Sequence, residues 1–243
     1  MTQYLSCKPI PVADRLIVAL DVPSIPEAQA LVEELGDAVG FYKVGLELFM
    51  SGDYFALVEW LKARGKKVFV DLKFFDVPET VARAVRALSV RGVDFATVHG
   101  NDAIMEAAAR EKGDLKILAV TVLTSLDRGD LTDLGFDCDV QQLVLSRARR
   151  ALRLGCDGVV SSGLEVRQLR AEVGDKLLVV TPGIRPVENR PSDDQKRIVT
   201  VDQAFLNGAD HIVVGRPIRD AADRRAAALA VQRTIAGVFA QAA

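Results

Sequence analysis

Eight returns of one unit, a short apolar run followed by a helix-period pattern, predict a single (β/α)8 TIM barrel with parallel strands. Two further observations agree. The length of 243 residues suits one such barrel. The apolar runs lack polar alternation, as strands covered on both faces do. No G-x-G-x-x-G follows the first run, so a dinucleotide-binding sheet lacks its fingerprint. No linker, low-complexity tract or change of composition interrupts the chain, and residues 1–243 read as one domain.

The elements follow in order. Leu16 to Leu20 is the first strand, ending at Asp21. Ser24 and Glu27 then make a capping-box pattern with Pro26 in the first turn. Ala28, Leu31, Val32 and Leu35 continue at helical spacing until Gly36 stops them. Phe41 to Gly45 is the second strand, and Tyr54, Leu57, Val58 and Leu61 fall on one helical face ahead of Gly65. Val68-Phe69-Val70 is the third strand, with Val81, Ala84, Val85 and Leu88 marking its helix. Phe95 to Val98 is the fourth, backed by Ile104, Ala107 and Ala108.

Lys116 to Leu123 is the fifth strand, and its helix carries Val140, Leu143, Val144, Ala148 and Ala151. The arginines at 147, 149, 150 and 153 in that helix read as a solvated face. Gly158 to Ser161 is the sixth strand, followed by Val166 and Leu169. Leu177 to Thr181 is the seventh, leading to a Thr200–Gln203 capping box and Ala204-Phe205. Ile212 to Gly215 is the eighth, and an alanine-rich helix closes the chain. Two connections are long, Thr124 to Asp139 and Pro182 to Val199. Both leave the C-terminal ends of strands, where barrel enzymes build their sites.

Composition narrows the function classes. A net charge of −2 and a pI near 5.8 provide no global basic field for nucleic acid or an anionic membrane. Cys7, Cys138 and Cys156 are widely spaced and form no C-x-x-C pair, which speaks against a disulfide framework or zinc site. No secretory pattern opens the chain and no apolar run approaches a transmembrane length. The expectation is a cytoplasmic protein.

The residues at strand exits carry the chemistry. They are Asp21, Lys43, Asp71, Lys73, His99, Thr124 and Gly215-Arg216. Alternation along a strand sends Asp71 and Lys73 to the same side, and Lys43 stands between apolar neighbours where a free lysine is rare. A fold gains little from such charges, because buried pairs seldom beat apolar packing. An isolated D-x-K would read as a near-neutral surface ion pair. Here Asp71 opens the longer string D-x-K-x-x-D-x-P-x-T, running through Asp76 and Pro78 to Thr80.

That string resembles the signature of the orotidine 5'-monophosphate decarboxylase family, in its bacterial form. Leu20-Asp21, Lys43-Val44-Gly45, the Thr121 to Ser125 run, Thr181-Pro182-Gly183-Ile184-Arg185, Asp194-Gln195 and Gly215-Arg216-Pro217 are similar to it as well. The resemblance implies decarboxylation of orotidine 5'-monophosphate to uridine 5'-monophosphate in de novo pyrimidine biosynthesis, with no metal or cofactor. It implies that Lys73 is the proton donor in a Lys–Asp–Lys–Asp array with Lys43, Asp71 and Asp76. It implies a homodimer in which Asp76 and Thr80 reach the partner's site. Gln195, Gly215 and Arg216 would bind the phosphate with Arg185 close by, and Asp21 and Lys43 the ribose hydroxyls. Thr124 and Ser125 would contact the pyrimidine edge, with Pro182 in the same substrate site.

The chemistry suits those residue types. Loss of CO₂ from C6 of the orotate ring leaves a carbanion, which a neighbouring ammonium stabilises and then protonates. Flanking carboxylates keep that lysine charged. Phosphate binding, remote from C6, supplies energy for holding the reacting group. Related sugar-phosphate barrel enzymes share D-x-K-x-x-D but use Mg²⁺, and their pattern lacks the continuation given by Pro78 and Thr80. A silent barrel that only binds nucleotides would not need all four charges. His99 at a strand exit reads as a packed or hydrogen-bonded side chain, and His211 as a structural one at the opposite barrel end.

Overall fold

The computed structural model describes residues 3–185 and 197–240. Eight parallel strands close into a barrel in chain order: β1 (Leu16–Ala19), β2 (Phe41–Gly45), β3 (Lys67–Phe74), β4 (Phe95–His99), β5 (Lys116–Val120), β6 (Gly158–Val160), β7 (Leu178–Thr181) and β8 (His211–Val214). The helices between them are α1 (Ile25–Leu35), α2 (Leu46–Met50), α3 (Tyr54–Ala63), α4 (Pro78–Ser89), α5 (Asp102–Glu111), α6 (Arg128–Asp133), α7 (Val140–Arg153), α8 (Val166–Val173), α9 (Val201–Leu206) and α10 (Arg216–Arg219). The closing helix is α11 (Arg224–Ala240). No helix among the described residues is long and apolar enough to cross a membrane.

The helical periods bury the faces they predicted. Ala28, Leu31, Val32 and Leu35 of α1, and Tyr54, Leu57, Val58 and Leu61 of α3, pack against the outside of the barrel. Pro78 is the first helical residue of α4, as its fixed φ and missing N–H favour. Ser24 caps α1 by accepting from the Glu27 N–H at 3.4 Å, with Glu27 Oε1 answering its hydroxyl at 2.8 Å. The box expected at Thr200 is one-sided. Thr200 accepts from the Gln203 N–H, but the Gln203 amide turns to Asn207.

Three differences from the sequence expectation have physical causes. β3 runs on to Phe74 and β5 ends at Val120, because pairing is set by neighbouring strands rather than by where apolar residues stop. The short helices α2, α6 and α10 arise at strand exits and were not anticipated, since one turn carries no period to detect. Arg147 is buried, unlike a solvated arginine. Its guanidinium donates to the Thr121 carbonyl and lies 5.5 Å from the Phe136 ring centre. The other three arginines of α7 make ion pairs on the helix surface, with Glu172 or Asp102.

Inside the barrel, Phe41, Phe69 and Phe95 interlock with centroids 5.0 and 6.0 Å apart. His211 meets the edges of Phe41 and Phe95, and its Nδ1 donates to the Asp14 carbonyl at 2.9 Å. Burial pushes its pKa down to about 4, so it is a neutral core residue at the barrel base.

The base is held by one device used three times. Asp94, Asp157 and Asp210 each stand immediately before an even-numbered strand. Each carboxylate accepts the N–H of Val68, Ile117 or Val179 on the preceding strand at 2.8 Å. The N–H of each aspartate returns a bond to the carbonyl of that same residue. Each then pairs with a cation from the end of the helix that leads into that preceding strand, α3, α5 or α8: Lys62, Lys112 and Arg170, at 2.8, 2.8 and 2.7 Å. In sequence these are Gly92-Val93-Asp94, Gly155-Cys156-Asp157 and Gly208-Ala209-Asp210. All three glycines have positive φ, and a Cβ on Gly208 would lie 2.7 Å from Arg170 Cγ. The second strand has Gly40 in this position and lacks the clasp.

Asp210 is the most buried of the three and is also bonded by Ser6 and Lys8. Burial alone would raise its pKa, but Arg170, Lys8 and the hydrogen bonds outweigh that and hold it below the ordinary value. Asp210→Ala strands a buried guanidinium and is expected to cost about 3–5 kcal/mol. Asp94→Ala, at a half-buried clasp, is expected to cost roughly 1–3 kcal/mol. Urea unfolding of both variants checks the order, and equal losses would refute it.

Candidate active site

Alternation along the strands decides what enters the barrel mouth. Ile17 and Ala19 of β1, Phe41 of β2, Phe69 of β3 and Phe95 of β4 belong to the inner apolar cluster. The next inward positions are Asp21, Lys43, Asp71 and Thr97, so the apolar layers end in a polar one. Lys43 Nζ lies 3.0 Å from Asp21 Oδ1 and 3.6 Å from Asp71 Oδ2. Lys73 Nζ lies 3.0 Å from the same Asp71 oxygen. The side chains of Lys43 and Asp71 are only 12% and 13% exposed.

Burial by itself would discharge both central groups. For Asp71, burial raises the pKa, but Lys43 and Lys73 together with hydrogen bonds pull it below the usual carboxylate value. For Lys43, burial lowers the pKa, and Asp71 and Asp21 more than compensate, leaving it raised. Lys43 and Asp71 therefore keep opposite full charges in a largely enclosed place.

The position of Lys73 depends on a bulge. Val70 pairs with Ala96, but the next pairing joins Phe74 to Val98, so β3 advances four residues while β4 advances two. Within that excursion Lys73 has φ 48°, the one left-handed value outside glycine among the described residues. Such a conformation costs of order 1–3 kcal/mol. Thr97 on β4 accepts the Lys73 backbone N–H at 3.0 Å and donates its hydroxyl to Asp71 Oδ1 at 2.9 Å.

These groups open on a cavity of about 400 Å³ at the C-terminal end of the barrel. Asp21, Lys43, Asp71, Lys73, Thr124, Ser125, Pro182, Arg185, Gly215 and Arg216 all line it, so ten residues expected from sequence share one space. Its apolar wall comes from Phe69, Val120, Val122, Val160 and Val213. Arg185 is held where β7 leaves the barrel: its N–H donates to Val199 O, and Val199 N–H donates to Gly183 O. Arg197 fastens the same region, with Nη1 on Glu165 at 2.7 Å and Nη2 on Leu123 O at 2.9 Å. Gln195 lies outside the described residues.

Asp76 and Thr80 do not line this cavity. Both are exposed, and Asp76 accepts the Val77 N–H at 2.6 Å. Their neighbours Phe75 and Val77 are 65% and 64% exposed, and Leu46, Phe49 and Met50 of α2 are exposed too. His99 bonds Asn101 through Nδ1 and stacks on Phe75 at 4.4 Å, consistent with a packed histidine. Sequence reading missed Arg219, a lining residue whose Nη1 donates to Asp21 O at 2.6 Å. It also missed Thr97. The i+3 spacing from Arg216 and the i−2 spacing from His99 were the available signals.

Residues 14–231 match the model of the orotidine 5'-phosphate decarboxylase / HUMPS family. The chain is 79% identical over 240 residues to orotidine 5'-phosphate decarboxylase of Methylococcus capsulatus, covering 99% of each chain. It is 50% identical to that of Stenotrophomonas maltophilia, over 97% of this chain and 99% of the other. The crystal structure of orotidine 5'-phosphate decarboxylase from Lactobacillus acidophilus superimposes with a TM-score of 0.81 at 35% identity, covering 91% of this chain and 99% of that one.

The strained bulge makes a prediction separable from activity. Lys73→Gly and Lys73→Ala both remove the ammonium, yet only glycine adopts positive φ freely. The glycine variant is expected to be the more stable by about 1 kcal/mol. Urea unfolding of the two variants side by side checks this; an alanine variant of equal or greater stability contradicts a left-handed Lys73.

Proposed function

The chain belongs to the orotidine 5'-phosphate decarboxylase / HUMPS family and is a carboxy-lyase of pyrimidine biosynthesis; from that premise we propose how its residues do the work. Orotidine 5'-monophosphate binds in the cavity and leaves as uridine 5'-monophosphate. The C6–carboxyl bond breaks, CO₂ departs, and the electron pair stays on C6. The Lys73 ammonium stabilises that pair and then transfers a proton to it, and solvent restores the lysine. Asp71 pairs with the ammonium and aims it, and Lys43 helps to keep Asp71 ionised. The observation that carries this reading is Lys73 Nζ held 3.0 Å from Asp71 at the wall of the cavity.

Phosphate is assigned to Arg216, Gly215 and Gln195, with Arg185 beside them. A forked guanidinium and exposed backbone N–H groups suit a phosphate. Asp21 and Lys43 take the ribose hydroxyls, Thr124 and Ser125 the pyrimidine edge, and Pro182 packs alongside. The reaction uses no metal or cofactor. The chain works as one domain over residues 1–243, in the cytoplasm.

The working unit is a homodimer. Asp76 and Thr80 stand outside their own chain's cavity, with exposed Phe75 and Val77 flanking Asp76, which supports a partner covering that face. Each chain would then complete the array of the other with Asp76, and the apolar side chains would supply the contact.

Loss of the orotate absorbance on mixing with orotidine 5'-monophosphate tests the reaction. Turnover is expected with EDTA present, and Lys73→Ala should lose at least about a thousandfold, the scale of a transition-state electrostatic contact. An EDTA-sensitive enzyme acting on sugar phosphates instead would overturn the assignment. A second test addresses the dimer. Lys73→Ala and Asp76→Ala are each expected to be inactive, but refolded together they should regain about a quarter of wild-type activity, because half of the pairs are hybrids with one intact site. No recovery on mixing would place Asp76 in its own chain's site.

A further inference from the structure

Resting on the decarboxylase reading above, we propose that Thr97 is the positioning residue that sets the geometry of Asp71 and Lys73 for proton delivery. Thr97 is fully buried and does not line the cavity, so it acts through its neighbours rather than on substrate. Its one hydroxyl is used in both senses. It donates to Asp71 Oδ1 at 2.9 Å and accepts from the Lys73 backbone N–H at 3.0 Å.

Each bond answers a specific need of the bulge. Where β3 departs from its ladder with β4, the Lys73 amide has no place in the regular pairing. A buried N–H left without a partner is costly, and the threonine oxygen supplies the acceptor. That bond holds a lysine backbone in the left-handed region that it would otherwise leave. The second bond fixes rotation of the Asp71 carboxylate. With Oδ1 tied to Thr97, Oδ2 faces both Lys73 at 3.0 Å and Lys43 at 3.6 Å. A carboxylate free to turn would exchange these partners and release the ammonium from its aim.

Among the described residues, the charged and titratable groups around Asp71 are Lys43 on β2, Lys73 on its own strand, Asp21 acting through Lys43, and the Tyr54 phenol of α3. Loss of a hydrogen bond to the ionised carboxylate removes one influence holding its pKa down, while these others remain. The acid limb of the kcat profile should therefore move to higher pH when the hydroxyl is removed.

Thr97→Val keeps shape and removes the hydroxyl. Expected are a fall in kcat of about 10- to 100-fold, the range of a lost supporting contact, and a KM within about threefold, since the residues assigned to phosphate stand on other strands and Lys43 keeps its bond to Asp21. The acid limb should shift upward. Thr97→Ser should restore most of the rate. Should the valine variant fail to fold, Thr97→Ala and Thr97→Ser carry the comparison, because both lack the methyl and differ only in the hydroxyl. A folded Val or Ala variant with wild-type kcat and pH profile overturns the proposal, as does a serine variant as slow as alanine. If wild type itself does not consume orotidine 5'-monophosphate, the underlying reading fails first and takes this one with it. A wild-type enzyme that turns over beside an unaffected variant removes Thr97 alone.

Discussion

Closing a sheet into a barrel forces every second side chain of each strand inward, and this one constraint organises the molecule. Below the mouth the inward positions are apolar but for the neutral His211 at the base, from Phe41 to Ala19 and Phe69 above. At the next layer they become Asp21, Lys43, Asp71 and Thr97, and closure brings them together whatever their charges. Because desolvation there opposes every charge, the layer is tolerable only as an alternating set. Asp71 sits at its centre, paired with Lys43 and Lys73 and accepting from the Thr97 hydroxyl.

The two ends of the barrel solve opposite problems. At the base, Asp94, Asp157 and Asp210 close reciprocal backbone bonds and anchor the helix ahead of the strand they bond, with glycine wherever φ is positive. Among the described residues, none that carries a side chain takes a positive φ there. At the mouth a lysine occupies a positive φ, a strand leaves its ladder, and like and unlike charges crowd a cavity. Stability gained at one end offsets a strained conformation at the other. The proposed dimer extends the same logic, since Asp76 and the apolar side chains beside it gain their use only against a second copy.

Much of the site is legible in the chain because its residues follow strand exits. A lysine inside an apolar run, as at Lys43, and acidic residues ending such runs, as at Asp21 and Asp71, have few bland explanations in a barrel. Residues that act through tertiary partners are less visible. Thr97 reads as an ordinary β-branched strand residue until Asp71 and the Lys73 amide are set beside it. Arg147 reads as solvated because its helix is arginine-rich, and only the Thr121 carbonyl and Phe136 ring explain its burial. The three Gly-x-Asp triplets stand in the sequence as a repeat, yet their purpose lies in bonds to strands 26 to 40 residues away along the chain.

The sequence by itself determined the number and order of the strands, the faces of the longer helices, and which residues stand at the mouth. Period and punctuation are local properties, and the barrel rule converts them into location. Only the tertiary structure decided the bulge in β3, the left-handed Lys73, the shared oxygen of Asp71 and the hydroxyl that serves both. Those depend on where β4 lies against β3 to within a hydrogen-bond length, and no stretch of one strand contains that distance.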